Sequence, residues 1–208
     1  NGFGTIYIVC NNDGRSVVPL EKRSKSKTII HINGPQVMEL LKQRIIKDGR
    51  NLGSGILKVD GFINHQVDPV LMDACGQALA RLFVKVGATK VLTAEISGIA
   101  PAIMTAKYLN LPVVYARKSK PITMPNEVYL TVAPSHTKGR LTELIVSPEY
   151  LSGGERILII DDFLASGATI AGLVRLAQTA GATLVGIGTL VVELSENNST
   201  DELGARVI

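Results

Sequence analysis

Ile157-Leu-Ile-Ile-Asp-Asp-Phe-Leu-Ala-Ser-Gly-Ala-Thr169 is the stretch whose reading decides the fold. Four apolar β-formers run into two adjacent acids, Asp161 and Asp162, and a small-residue loop follows. A periodic apolar pattern then begins at Thr169, with Leu173, Leu176 and Ala177 facing a core and Gly181 as its stop. That order predicts a buried strand, a sharp loop and a helix start. It puts the backbone N–H groups of Ala165, Ser166, Gly167, Ala168 and Thr169 at a helix N-terminus, where a phosphate is well held. It also puts both acids at the carboxyl end of a central strand, where open α/β sheets bind ligands. A phosphate pocket beside an acidic pair, suited to a sugar diol or a metal, is the expectation.

Outward from this unit, the remaining elements alternate in type. Leu184 to Val192 is a final apolar strand. Upstream, Lys90 to Ala94 reads as a strand, residues 99–109 as a helix and Val113 to Ala116 as a second strand, a βαβ unit that requires parallel pairing. Val70, Leu71, Ala74, Ala78 and Leu82 mark an amphipathic helix from Pro69 to Val86, stopped by Gly87. Pro35 opens a first helix with Asn33 as cap, and Gly49 ends it; Ile56 to Val59 is a short strand. Residues 127–132 and 141–146 are strand-like, separated by Ala133-Pro-Ser-His-Thr-Lys-Gly-Arg140, a polar segment suited to a hairpin or lid. The expected fold is α/β: a mostly parallel sheet flanked by helices, in one domain over residues 36–208. Residues 1–35, with one short strand and a turn at Asn11-Asn-Asp-Gly14, are expected to form a flexible extension.

Composition narrows the function classes. Hydrophobic residues make up 46% of the 208, too many for a disordered chain, yet no apolar run reaches the ~18 residues that span a bilayer. Cys10 and Cys75 form no disulfide framework or metal spacing, and Cys75 reads as a small core residue. Residues 1–35 carry five Lys/Arg against Asp13 and Glu21, so +3 of the net +4 sits there. The remainder lacks the broad basic surface and the aromatic residues of a nucleic-acid platform. A chain starting at Asn1 is expected to be an engineered, processed or partial product; no basic region precedes the apolar start, so no secretory signal is expected. A cytoplasmic location follows as an expectation.

Other candidate groups gather at the same sheet edge. Ser97 and Gly98 can turn amides toward a second anion, with Glu95 beside them as a ligand group or loop acid. Arg117, Lys118 and Lys120 follow a strand directly. They are either a solvated charge run or an anion site. Asn64 and His65 could cover a heterocycle edge, although capping by these residues is the simpler reading. There is no Gly-x-x-x-x-Gly-Lys-Ser/Thr loop, no Gly-x-Gly-x-x-Gly at the first βα turn, no zinc-binding cluster and no nucleophile elbow. A phosphorylated sugar fits this inventory better than an acyl substrate.

The stretch Ile159-Ile-Asp-Asp-Phe-Leu-Ala-Ser-Gly-Ala-Thr169 resembles the phosphoribosyl-pyrophosphate signature of the type I phosphoribosyltransferases. Three further segments, Leu57-Lys-Val-Asp-Gly-Phe-Ile-Asn-His-Gln-Val-Asp-Pro69, Ser97-Gly-Ile-Ala-Pro101 and Tyr115-Ala-Arg-Lys-Ser-Lys120, resemble the bacterial xanthine branch of that family. The likeness runs from about Met38 to Glu193.

It implies a purine salvage transferase that converts xanthine and 5-phosphoribosyl 1-pyrophosphate (PRPP) to xanthosine monophosphate and pyrophosphate. By the same resemblance, Asp161 and Asp162 hold the ribose hydroxyls and residues 165–169 the 5′-phosphate. Ser97, Gly98, Arg117, Lys118 and Lys120 lie near pyrophosphate. Asp161, Asp162, Lys118 and Lys138 are the implied catalytic set. Leu57, Asn64, Phe163, Leu164 and Glu193 are implied at the purine. Mg²⁺ is expected to bind with PRPP or pyrophosphate and not by direct side-chain ligation, and a homodimer is expected.

One departure stands out: the xanthine branch carries a lysine after the last strand, where this chain has Val191-Val-Glu-Leu-Ser195. Guanine or hypoxanthine as the base, and a noncatalytic PRPP-sensing regulator, therefore remain alternatives.

Overall fold

A computed structural model describes residues 37–52, 57–134 and 141–192. The expected flexibility of residues 1–35, and the site roles of Lys138 and Glu193, lie outside the described residues.

The strand that opens the decisive stretch is longer than expected. It runs as β7 from Arg156 to Leu164 and carries both acids inside its last four residues. Strands β3 (Lys90–Ala94), β4 (Val113–Ala116) and β8 (Thr183–Val192) complete a sheet in the order β4-β3-β7-β8. Every pairing in it is parallel; Val91 pairs with Val113, Leu92 with Ile159 and Asp161 with Thr189.

Parallel sheets need cover on both faces, so their central strands read as unbroken apolar runs. Here Ile157 and Ile159 join a core with Leu173, Leu176 and Ala177 of α4 (Ala168–Thr179). Leu158 and Ile160 point the other way, into a core with Met72, Leu79 and Phe83 of α2 (Pro69–Phe83) and Ala102 and Ala106 of α3 (Ile99–Leu109). Burying each of the Ile, Leu, Met and Phe side chains among these contributes about 1.5–3 kcal/mol. The alternation slips beyond the acids: Phe163 packs with the second core and Leu164 with the first.

Local chemistry explains the helix ends. The Asp68 carboxylate accepts from the Val70 and Leu71 amides, both at 3.1 Å, and Pro69 follows as the first helical residue. Helix α2 stops at Phe83, earlier than the Gly87 signal suggested. Arg156 then donates to the carbonyls of Val86 and Gly87, both at 2.7 Å, and ties this turn to the start of β7. Asn110 closes α3 with φ 55°, and α1 (Val37–Asp48) ends where the Gly49 amide donates to Ile45. Arg50–Asn51 (β1) and Leu57–Lys58 (β2) form a small antiparallel pair.

Strands β5 (Tyr129–Pro134) and β6 (Leu141–Val146) pair as an antiparallel hairpin outside the main sheet. The hairpin begins two residues later than the periodicity implied. Its register from Tyr129–Val146 to Pro134–Leu141 leaves Pro134, which lacks an N–H, in the last pair. Residues 135–140 lie outside the described residues. Among the described residues no helix is long and apolar enough to cross a membrane.

Candidate active site

Asp161 and Asp162 are each 5% exposed, at the carboxyl end of the most deeply buried strand. Two carboxylates this close and this dry cannot ionise with equal ease. Burial pushes the Asp161 carboxyl well above the ordinary range, and the neighbouring charge of Asp162 adds to the rise. Lys118 pulls in the opposite direction, which places that cation within electrostatic reach of the pair. The Asp162 amide donates to Asp161 Oδ1 at 3.0 Å, and the Ser97 hydroxyl donates to Asp162 Oδ1 at 3.0 Å.

The turn bearing Ser97 is pressed against the acids. A Cβ on Gly98 would meet Thr93 Oγ1 at 2.3 Å and Asp161 Oδ1 at 2.4 Å, so only glycine lets the β3–α3 turn approach this closely. The hydroxyls of Thr93 and of Thr189, which pairs with Asp161 across β7 and β8, are fully buried with no hydrogen-bond partner among the described residues. The floor around Asp161 is therefore polar yet sealed. The periodicity gave no signal for either threonine, because each sits inside an apolar strand.

On the other side of the acids, Gly167 opens α4 with φ 77°, a left-handed conformation glycine adopts without a Cβ penalty. It supplies no side chain to cap the helix, and the first-turn N–H groups of any helix lack intrahelical partners. Ser166 Oγ accepts from the Ala168 amide at 3.3 Å, folding the loop back on the helix start. The loop 165–169, half-buried except for an exposed Ser166 and a buried Gly167, thus sets its amides at a positive helix end, the geometry that attracts a phosphate.

Glu95 answers the question its position raised. Its carboxylate accepts from the Lys118 amide and lies 3.8 Å from Arg117 Nε, so it straps the basic segment after β4 to the turn after β3. Arg117 also exchanges backbone hydrogen bonds with Ile145 of the hairpin, at 2.8 and 2.9 Å. Lys120 extends away, donating from Nζ to the Asn126 carbonyl at 3.0 Å. Arg117 and Lys118 thus join the acidic edge, whereas Lys120 is turned toward its own loop.

The residues implied at a base are less gathered. Val59, Phe62 and Ile63 are buried and anchor the segment before α2, while Asn64 and His65 are exposed on it. Asp68, rather than Asn64 or His65, performs the capping there. Leu57 and Phe163 are half-buried, and both pack on the α2–α3 core. Leu164 is 3% exposed inside the α4 core, so in this conformation it offers no face to a ligand. A cleft of about 340 Å³ opens on the flank of β4, lined by Tyr115, Arg117, Met124, Glu149 and Tyr150 among others; of the expected site residues it includes only Arg117.

A family model described as a phosphoribosyl transferase domain matches residues 71–204, more than half of the chain. This chain belongs to that family. Among curated relatives, a xanthine phosphoribosyltransferase of Lactobacillus delbrueckii subsp. bulgaricus is 51% identical over 154 residues, 74% of this chain and 82% of that protein. A xanthine phosphoribosyltransferase of Moorella thermoacetica is 50% identical over 155 residues, 74% and 79% of the two chains. The fold agrees with that of solved phosphoribosyltransferases. An adenine phosphoribosyltransferase from Saccharomyces cerevisiae superposes with a TM-score of 0.64 at 21% identity, covering 83% of this chain and 97% of the other. One from Rhodothermus marinus gives 0.58 at 21% identity, covering 75% and 98%.

Among the described residues no three His, Cys, Asp or Glu side chains gather as a metal cage. Asp161 and Asp162 are 5% exposed and already engaged with the Asp162 amide and the Ser97 hydroxyl, an arrangement that fits a Mg²⁺ ion carried on substrate phosphates and water without ligation by these side chains.

Proposed function

We propose that this chain transfers a 5-phosphoribosyl group from PRPP to xanthine, releasing pyrophosphate. The observation that carries this reading is the buried acidic pair seated between two turns, Ser97–Gly98 and 165–169, the second of them opening a helix. The roughly 50% identity to two xanthine phosphoribosyltransferases supports the choice of base.

The two acids divide the work on the ribose diol. Asp161, biased toward its neutral form, can donate to one hydroxyl as well as accept; Asp162, already accepting from Ser97, acts as a hydrogen-bond acceptor. The amides of 165–169 hold the 5′-phosphate. Purine N9 attacks C1 of the ribosyl group with inversion as the C1–O bond to pyrophosphate breaks; the bonding pair leaves with pyrophosphate, and the imidazole proton of the purine passes to water. Cations preorganised at the leaving group lower the barrier because charge grows there in the transition state. Arg117 and Lys118 take that role in this reading, and the contacts of Glu95 with Arg117 and with the Lys118 amide support it. Mg²⁺ bound to pyrophosphate supplies further neutralisation. No covalent nucleophile is needed.

The absence of a lysine in Val191-Val-Glu-Leu-Ser195 favours a second reading, in which guanine or hypoxanthine is the preferred base. The deciding experiment is pyrophosphate release measured with PRPP, Mg²⁺ and each of xanthine, guanine, hypoxanthine and adenine. Xanthine is expected to give the largest kcat/KM. A larger value for guanine or hypoxanthine moves the base assignment, and no turnover with any purine sinks the transferase reading.

A further inference from the structure

The β5–β6 hairpin lies outside the main sheet, yet it touches both of the elements expected to hold anions. At one contact it meets the basic segment: Arg117 and Ile145 exchange two backbone hydrogen bonds. At the other it lies on the flank of α4, the helix that begins at the 165–169 loop. That second contact is specific. Arg175 Nε donates to Thr131 Oγ1 at 3.0 Å, and an Arg175 terminal nitrogen donates to the Val132 carbonyl at 2.8 Å. One turn closer to the loop, a Cβ on Gly172 would lie 2.7 Å from Leu144 Cδ1 and 3.6 Å from the side chains of Ala133 and Thr131, so hairpin side chains pack directly on the helix backbone there.

We infer that Arg175 is a positioning residue that fixes the spacing between the two anion subsites by clamping the β5–β6 hairpin to α4. It touches neither subsite. Its planar fork satisfies two acceptors of one strand at once, a geometry a lysine ammonium cannot reproduce. The hairpin then carries that placement to Arg117. The ligand that needs such spacing has an anionic group at each end, a phosphate ester and a pyrophosphate, so the inference rests on the reading of the site as a PRPP site. A base that bridges nothing does not feel the spacing.

The test compares the parent chain with Arg175→Met, Arg175→Lys and Thr131→Val. Arg175 is exposed, so its replacement leaves both cores intact. Arg175→Met is expected to raise the KM for PRPP roughly tenfold while the KM for the purine stays within about twofold, since sub-ångström misplacement costs binding of a two-ended ligand first. Arg175→Lys is expected to recover little of the loss. The double variant Arg175→Met/Thr131→Val is expected to be no worse than Arg175→Met alone, because both changes remove the same contact. Calorimetric titration with PRPP and Mg²⁺ reads the same loss without turnover. A lowered Tm with an unchanged KM and Kd for PRPP makes Arg175 a merely structural brace and overturns the inference. A parent chain that binds no PRPP overturns the site reading and this inference together. A parent that binds PRPP with the same Kd as Arg175→Met overturns this inference alone.

Discussion

The two halves of the candidate site are built differently. The half around β7 and α4 is made of backbone and buried side chains: Asp161 and Asp162 at 5% exposure, Gly98 wedged between Thr93 and Asp161, and Gly167 in a left-handed turn. The half around residues 57–64 displays an exposed Asn64 on an apolar anchor of Phe62 and Ile63. A phosphorylated sugar presents charge and hydroxyls that fixed amides and acids recognise without adjustment. A purine is read at its edges by a few side chains, and exchanging one of those leaves the fold untouched. Donor recognition should therefore be inseparable from folding, and base recognition should not.

The largest effect is expected at Asp162. Asp162→Ala removes an acceptor for the diol and the partner of Ser97, and should lower kcat/KM by roughly 10²–10³-fold in the pyrophosphate assay. Near-parental kcat/KM would remove Asp162 from the site. Gly98→Ala comes next. Its Cβ would have to displace Thr93 Oγ1 and Asp161 Oδ1, at an overpacking cost of about 1–3 kcal/mol in denaturant unfolding, with PRPP affinity lost as well. A Gly98→Ala variant that is as stable as the parent and binds PRPP normally would separate donor recognition from folding after all.

Asp161→Asn gives a smaller effect that depends on pH. The folded state raises this pKa above the ordinary 3.8, so between 3.8 and the raised value the folded protein holds the proton more tightly than the unfolded chain. Stability therefore falls as pH rises through that window, and the penalty is absent below it. Asparagine carries no such penalty. Asp161→Asn should melt at a higher temperature than the parent at neutral pH, with the gap closing as the pH drops below 3.8. A gap that does not change with pH would mean that burial of charge is not its cause. Asn64→Ala should be the mildest. It is expected to shift base preference while changing stability by no more than about 0.5 kcal/mol, as exposed positions do. A large loss of stability on removing Asn64 would erase the contrast between the halves.

The same contrast governs what was legible in the sequence. The strands at 90–94 and 113–116 and the helix at 99–109 follow from apolar period and punctuation, and they occur at those bounds. The acidic pair and the glycine loop were legible because their chemistry is local in sequence. Glu95 was ambiguous, since its partners Arg117 and Lys118 lie on the far side of a helix and a strand. Thr93 and Thr189 were invisible because a buried hydroxyl in a β-branched residue reads as an ordinary strand former. The resemblance implied both Phe163 and Leu164 at a base, but consecutive strand residues face opposite sides: Leu164 is buried in the α4 core while Phe163 packs on the other core.

Burial of β7 on both faces has a consequence in time as well as in energy. Amides at the centre of such a strand exchange with solvent only when the whole domain opens, because no smaller opening frees them from both cores. Asp161 and Asp162 continue that same strand. Deuterium should therefore enter Ile159 and Ile160 among the last positions in the chain, while residues 64–67 exchange early. The acids would then inherit their fixed positions from the slowest-opening part of the molecule, with the Ser97 hydroxyl as a further local brace on Asp162.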